Sequence, residues 1–156
     1  MAYSRNEIYA KFLIVYILIE FQNDWMAPDG GINAQFKDRD QFDASKANAR
    51  KVLDEARGRG MEIIYVTMTL DPSFKTLGQA QYGLRATMPQ YKSFLGKQAE
   101  IFPGFEPRQR EYVIRERTGS SVFGGTTLDS YLRKRSLAAS RLEWNGDASK
   151  SGTNLP

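Results

Sequence analysis

Phe12-Leu-Ile-Val-Tyr-Ile-Leu-Ile19 runs directly into Glu20-Phe-Gln-Asn-Asp-Trp25. The residues from Phe12 to Ile19 are all apolar and mostly β-branched or aromatic, the composition of a strand buried on both faces of a parallel sheet. The residues that follow bring in a carboxylate, two amides, a second carboxylate and an indole. Ligands of open α/β sheets sit beyond the carboxyl ends of central strands, so chemistry is expected at this junction.

Downstream, Ala27-Pro-Asp-Gly-Gly31 is a turn signal, and Asn33 to Phe42 reads as a polar loop. Asp43 or Ser45 is placed to cap a helix running to about Arg57, with Ala49, Val52, Leu53 and Ala56 as its apolar stripe. Gly58 and Gly60 end it. Met61 to Met68 is a second buried strand, completing a β-α-β unit whose crossover should be right-handed. From Leu70 to Arg110 no period is sustained. A loop of that length in a compact domain is usually functional, often a lid, with room for short helices.

A third strand is predicted over Glu111 to Glu116, followed by a small-residue turn, Thr118 to Gly125. Thr126 and Asp129 have capping-box spacing ahead of a helix that buries Leu128, Tyr131 and Leu132. Leu137 to Trp144 can prolong that helix, and Asn145-Gly146 can end it. Residues 1–11 form a polar lead-in. Asp147 to Pro156 is rich in Ser, Gly, Asn and Lys, a composition that frays unless something holds it.

The 156 residues suffice for one domain with a real core. The 22 basic against 18 acidic residues give a net charge of +4, which a solvated basic surface explains without a nucleic-acid partner. The absence of Cys removes disulfides, thiolate metal sites and thiol nucleophiles, and the absence of His removes the commonest general base and metal ligand. The apolar run falls far short of the roughly 20 residues that span a bilayer, and no signal-peptide cleavage pattern follows it. A cytoplasmic protein without membrane contact is expected.

The strand leading to Glu20-Phe-Gln-Asn-Asp-Trp25, Pro28 with Gly30-Gly31, and Ser121-Val-Phe-Gly-Gly-Thr-Thr-Leu128 together resemble the isochorismatase-like family of cysteine hydrolases, from about Phe12 to Arg133. The resemblance implies an α/β fold of three layers (αβα) around a parallel sheet. It further implies hydrolysis of small amides or of a vinyl ether by an Asp, a Lys and a Cys. The family's Asp position is Glu20, and its Lys position, four residues before Ser121, is Arg117. The strand that brings the Cys normally follows the helix ending near Arg135, and nothing there matches it.

These departures differ in weight. Glu for Asp shifts a charge by one methylene, and a misplacement of about 1 Å can cost on the order of a hundredfold. Arg for Lys keeps a cation but gives up proton transfer near neutrality. Losing the Cys segment also loses oxyanion donors worth roughly 2.7–4 kcal/mol each. The sheet is thus expected to be incomplete on its C-terminal side, with residues 1–135 as the family domain and residues 136–156 as an unrelated tail. Phe12 to Ile19 would then form an apolar edge that pairs with another copy or is covered by the tail.

Glu20 and Arg117 are the candidate catalytic residues, read as an ion pair without a nucleophile. Gln22, Asn23 and Trp25 are the candidate contacts for a small polar ligand. An inherited structural pair with no ligand is the plainer alternative. Asp24 beside Glu20 lacks a third ligand, so neither metal nor cofactor is expected. Ser120 and Ser121 read as turn residues. The leading reading is a catalytically impaired, self-associating family member. Altered hydrolytic chemistry on Glu20 and Arg117, or a non-catalytic binding or interaction module, stay open beside it.

Overall fold

The computed structural model describes residues 15–79 and 81–134. The expectations for residues 1–11, for Phe12 to Ile14, for the helix extension at Leu137 to Trp144 and for the tail lie outside the described residues. Three strands form one parallel sheet in the order β1-β2-β3: β1 (Val15–Ile19), β2 (Glu62–Met68) and β3 (Tyr112–Arg117). In chain order the helices are α1 (Asn23–Met26), α2 (Arg39–Gly58), α3 (Leu84–Tyr91) and α4 (Leu128–Lys134). Among the described residues β1 pairs with β2 alone, so its other edge carries no strand.

The period of two along each strand divides the side chains between two cores. Tyr16, Leu18, Ile63, Tyr65 and Val113 project to one face and pack with Leu53 and Ala56 of α2. Val15, Ile17, Ile64, Val66, Tyr112 and Ile114 project to the other and pack with Leu128 and Leu132 of α4. A helix therefore covers each face, giving the three-layer αβα arrangement. At the amino end Arg57 braces the first core, donating to Glu111 at 2.8 Å and to the Tyr65 hydroxyl at 3.1 Å.

Three local expectations are corrected. Helix α2 begins at Arg39, inside the stretch read as a loop, because Asp38 accepts from the Gln41 N–H at 2.9 Å and so caps the first turn. Asp43 is instead paired with Lys46, and Ser45 donates back to the Gln41 carbonyl. Val52 is 50% exposed and drops out of the buried stripe, which comprises Ala49, Leu53 and Ala56. The Thr126–Asp129 capping box does not close. Thr126 receives the Leu128 N–H at 3.3 Å, while Asp129 is drawn to Arg133 one turn on.

The stretch from Leu70 to Arg110 folds into short helices over a third core. Ile32, Met68, Leu70, Leu77, Met88 and Phe94 pack together there, with Trp25 against them. This cap sits on the carboxyl end of the sheet, where the Glu20–Trp25 stretch meets it.

Candidate active site at the carboxyl edge of the sheet

Glu20 follows β1 directly with φ at 57°, a left-handed conformation rarely held by a residue with a side chain. Its N–H still donates to the Val66 carbonyl at 2.9 Å, so the chain leaves the sheet immediately after a last ladder bond. Such conformations persist only where surrounding contacts impose them. Here the Glu20 carboxylate receives the Trp25 indole N–H at 2.5 Å and the Arg117 guanidinium.

Arg117 reaches Glu20 from the end of β3, across β2. The β2–β3 register slips between Val66 and Met68, so that Met68 faces Arg117. An extra residue in one strand re-aims the side chains after it. The Arg117 side chain is 3% exposed, and its Nη1 donates to the carbonyls of Gly119 and Ser120 at 2.9 and 3.1 Å. Burial draws its pKa below the usual arginine range, yet a guanidinium stays protonated at neutral pH. The pair expected from the sequence is thus assembled from the ends of β1 and β3.

Gln22 and Asn23 hold the cap. The Gln22 amide donates to the carbonyls of Met68 at 2.7 Å and Ala99 at 2.5 Å, and its oxygen accepts from the Met68 N–H at 2.7 Å. The Asn23 side chain donates to the Lys97 carbonyl at 2.8 Å. Both side chains thus meet backbone atoms of the cap and of β2. Asp24, fully buried, accepts from the Gly31 N–H at 3.0 Å. Burial pushes its carboxyl above the usual carboxylate range, outweighing the nearby Ser93 hydroxyl and the amides of Gly31, Ile32 and Phe94. The glycines complete the packing: a Cβ on Gly30 would lie 2.4 Å from the Asp24 carbonyl oxygen, and one on Gly31 would lie 2.6 Å from the Tyr91 Cβ.

Trp25 and Glu20 border an open cavity of about 370 Å³ between the end of β1 and α2. Its apolar walls come from Ile19, Phe21, Trp25, Met26, Phe42 and Ala49, and its polar groups from Glu20, Ser45 and Lys46. Lys46 bonds the Asp43 carboxylate at 2.6 Å and the Met26 carbonyl at 3.2 Å. Phe42 and Lys46 are the site residues that the sequence reading missed. Phe42, Ser45, Lys46 and Ala49 follow the i, i+3, i+4, i+7 stripe of a helix face, a signal hidden by starting the helix too late.

Chemically, the arrangement supplies a closed charge pair beside an apolar cavity. Ser121 Oγ accepts from the N–H groups of Phe123 and Gly124 at 3.1 and 3.0 Å, as a turn residue does. Among the described residues no group of three or more Asp or Glu side chains is placed to hold a metal ion. None of the described helices is long and apolar enough to cross a membrane.

The family model of the isochorismatase domain matches residues 15–139, most of the chain. The chain belongs to the isochorismatase family. Solved structures share the fold. An isochorismatase family protein from Desulfovibrio vulgaris aligns with a TM-score of 0.60 and 22% identity over 79% of this chain and 62% of its own. A cysteine hydrolase from Pseudomonas syringae gives a TM-score of 0.60 and 18% identity over 81% and 55%, respectively. An N-carbamoylsarcosine amidase from Thermoplasma acidophilum gives 0.56 and 20% over 79% and 62%. This isochorismatase-family chain therefore spans 55–62% of the length of these structures. A comparison with curated proteins found no match.

Proposed function

We propose that this isochorismatase-family chain is a catalytically impaired relative of the family's hydrolases that keeps a small-molecule site at the carboxyl edge of its sheet. The observation that carries the reading is the closed state of Glu20. Both its oxygens are engaged, one by the buried Arg117 and the other by the Trp25 indole, and the 156 residues contain no Cys to attack a substrate. A carboxylate held by two fixed donors would have to give up a contact to swing toward a substrate's proton, which disfavours it as a general base. Glu20 and Arg117 are assigned to holding the edge, and Trp25 to the ligand wall. Gln22 and Asn23 support the site through the cap.

The proposal includes self-association through the open edge of β1, a domain that ends near residue 135 and a cytoplasmic location. Among the described residues β1 has no strand on its second edge, and a row of unpaired backbone donors and acceptors on an apolar strand is a template for a second strand, which supports the first of these.

The test is a hydrolysis screen with small amides, nicotinamide and isochorismate, run beside Glu20→Ala at matched concentration. No turnover by either protein is expected. Turnover that disappears in Glu20→Ala would overturn the impaired reading in favour of hydrolysis built on Glu20 and Arg117.

A further inference from the structure

The cavity beside Glu20 contains a polar group that the described residues leave unsaturated. Glu20 is taken by Arg117 and Trp25, and Ser45 donates to the Gln41 carbonyl at 2.9 Å. Lys46 has three N–H donors. Two go to the Asp43 carboxylate and the Met26 carbonyl, and the third meets no acceptor among the described residues. The Asp43 side chain is 66% exposed and lies one turn away, so this pairing is weak and readily exchanged. The Lys46 side chain itself is 21% exposed, and its ammonium lies 5.4 Å from the Phe42 ring centre and 5.6 Å from that of Phe102.

We infer that the cavity binds a small planar organic anion, its ring against Trp25 and Phe42 and its carboxylate on the Lys46 ammonium. The inference rests on the reading of this edge as a binding site and names the ligand class. Each alternative meets an unfavourable term. A cationic ligand would face Lys46 and find the Glu20 charge already balanced by Arg117. A neutral apolar ligand would shield the third Lys46 N–H from water without replacing its hydrogen bond. An anion fills the cavity and satisfies that donor. A volume of about 370 Å³ suits one ring with a short substituent.

The experiment uses the full chain carrying Trp144→Phe, so that Trp25 is its sole indole. Its emission is titrated with benzoate, benzamide and benzylamine. Saturable binding of benzoate at least tenfold tighter than benzamide, with no saturation by benzylamine, is expected. Lys46→Gln should abolish that preference while leaving benzamide binding unchanged. Equal binding of all three, a preference for benzylamine, or no saturable change with benzoate would overturn the inference. Should Lys46→Gln fail to fold, the benzoate-to-benzamide ratio on the Lys46 chain decides by itself. Benzoate offers no hydrolysable bond, so failure here leaves the catalytic reading standing, and turnover in the hydrolysis screen leaves this one standing.

Discussion

Gln22 and Met68 form a closed two-bond ring: the Gln22 side-chain oxygen accepts the Met68 N–H and its amide nitrogen donates to the Met68 carbonyl, both at 2.7 Å. A side chain thus does for the last residue of β2 what a neighbouring strand would do. The same nitrogen also holds Ala99, tying sheet and cap through one residue. Gln22→Ala should cost on the order of 3 kcal/mol, because it strands buried backbone groups without partners. Gln22→Glu should cost nearly as much, since a carboxylate accepts from Met68 but cannot donate. Urea unfolding measures both.

Gly30→Ala should destabilise by about 2–3 kcal/mol, the cost of overpacking against atoms that cannot give way. The added Cβ would meet the Asp24 and Asn23 carbonyl oxygens at 2.4 and 2.5 Å. Gly58→Ala is the control. It meets nothing within 4 Å at the end of α2 and should gain about 0.5–1 kcal/mol from reduced freedom of the unfolded chain. Thermal melts of the two variants should move in opposite directions.

Removing either member of the Glu20–Arg117 pair leaves the other charge in a mostly dry site. Glu20→Gln and Arg117→Met should each lose on the order of 3 kcal/mol, whereas the double replacement Glu20→Leu with Arg117→Met should lose less than the sum. Strict additivity in a double-mutant cycle would mean that the pair does not couple.

Asp24 gives a pH dependence of defined sign. Its folded pKa is raised above the ordinary value of 3.8, so between those two values the folded state binds more protons than the unfolded one. Stability from this carboxyl is full below the unfolded value and falls as pH rises through the folded one. Asp24→Asn keeps an acceptor for the Gly31 N–H. It should melt higher than the parent at about pH 7, and the gap should close toward about pH 3, as differential scanning calorimetry would show.

The β1 edge predicts association. Sedimentation velocity should find a dimer or larger species, and β1 amides facing away from β2 should exchange slowly. A monomer with fast-exchanging β1 amides would remove self-association from the proposal.

Much of the fold was legible because it follows from local pattern. The apolar runs at Met61 to Met68 and ahead of Glu20 are long enough to read as buried strands, and Gly58 with Gly60 marks a stop. Boundaries depended on competition between neighbours. Asp38, Asp43 and Ser45 can each cap a helix, and position along the helix gave Asp38 the free N–H of Gln41 while Lys46 took Asp43.

The sequence by itself determined the residue types at the carboxyl edge, the parallel αβα class and the absence of a thiol. It also brought Glu20 and Arg117 into one hypothesis, because a motif fixes which positions converge. Only the tertiary structure decided what each side chain does there. Gln22 and Asn23 face backbone of the cap and Lys46 faces the cavity, since the partners of a polar group are set by chain segments dozens of residues away that local pattern does not specify.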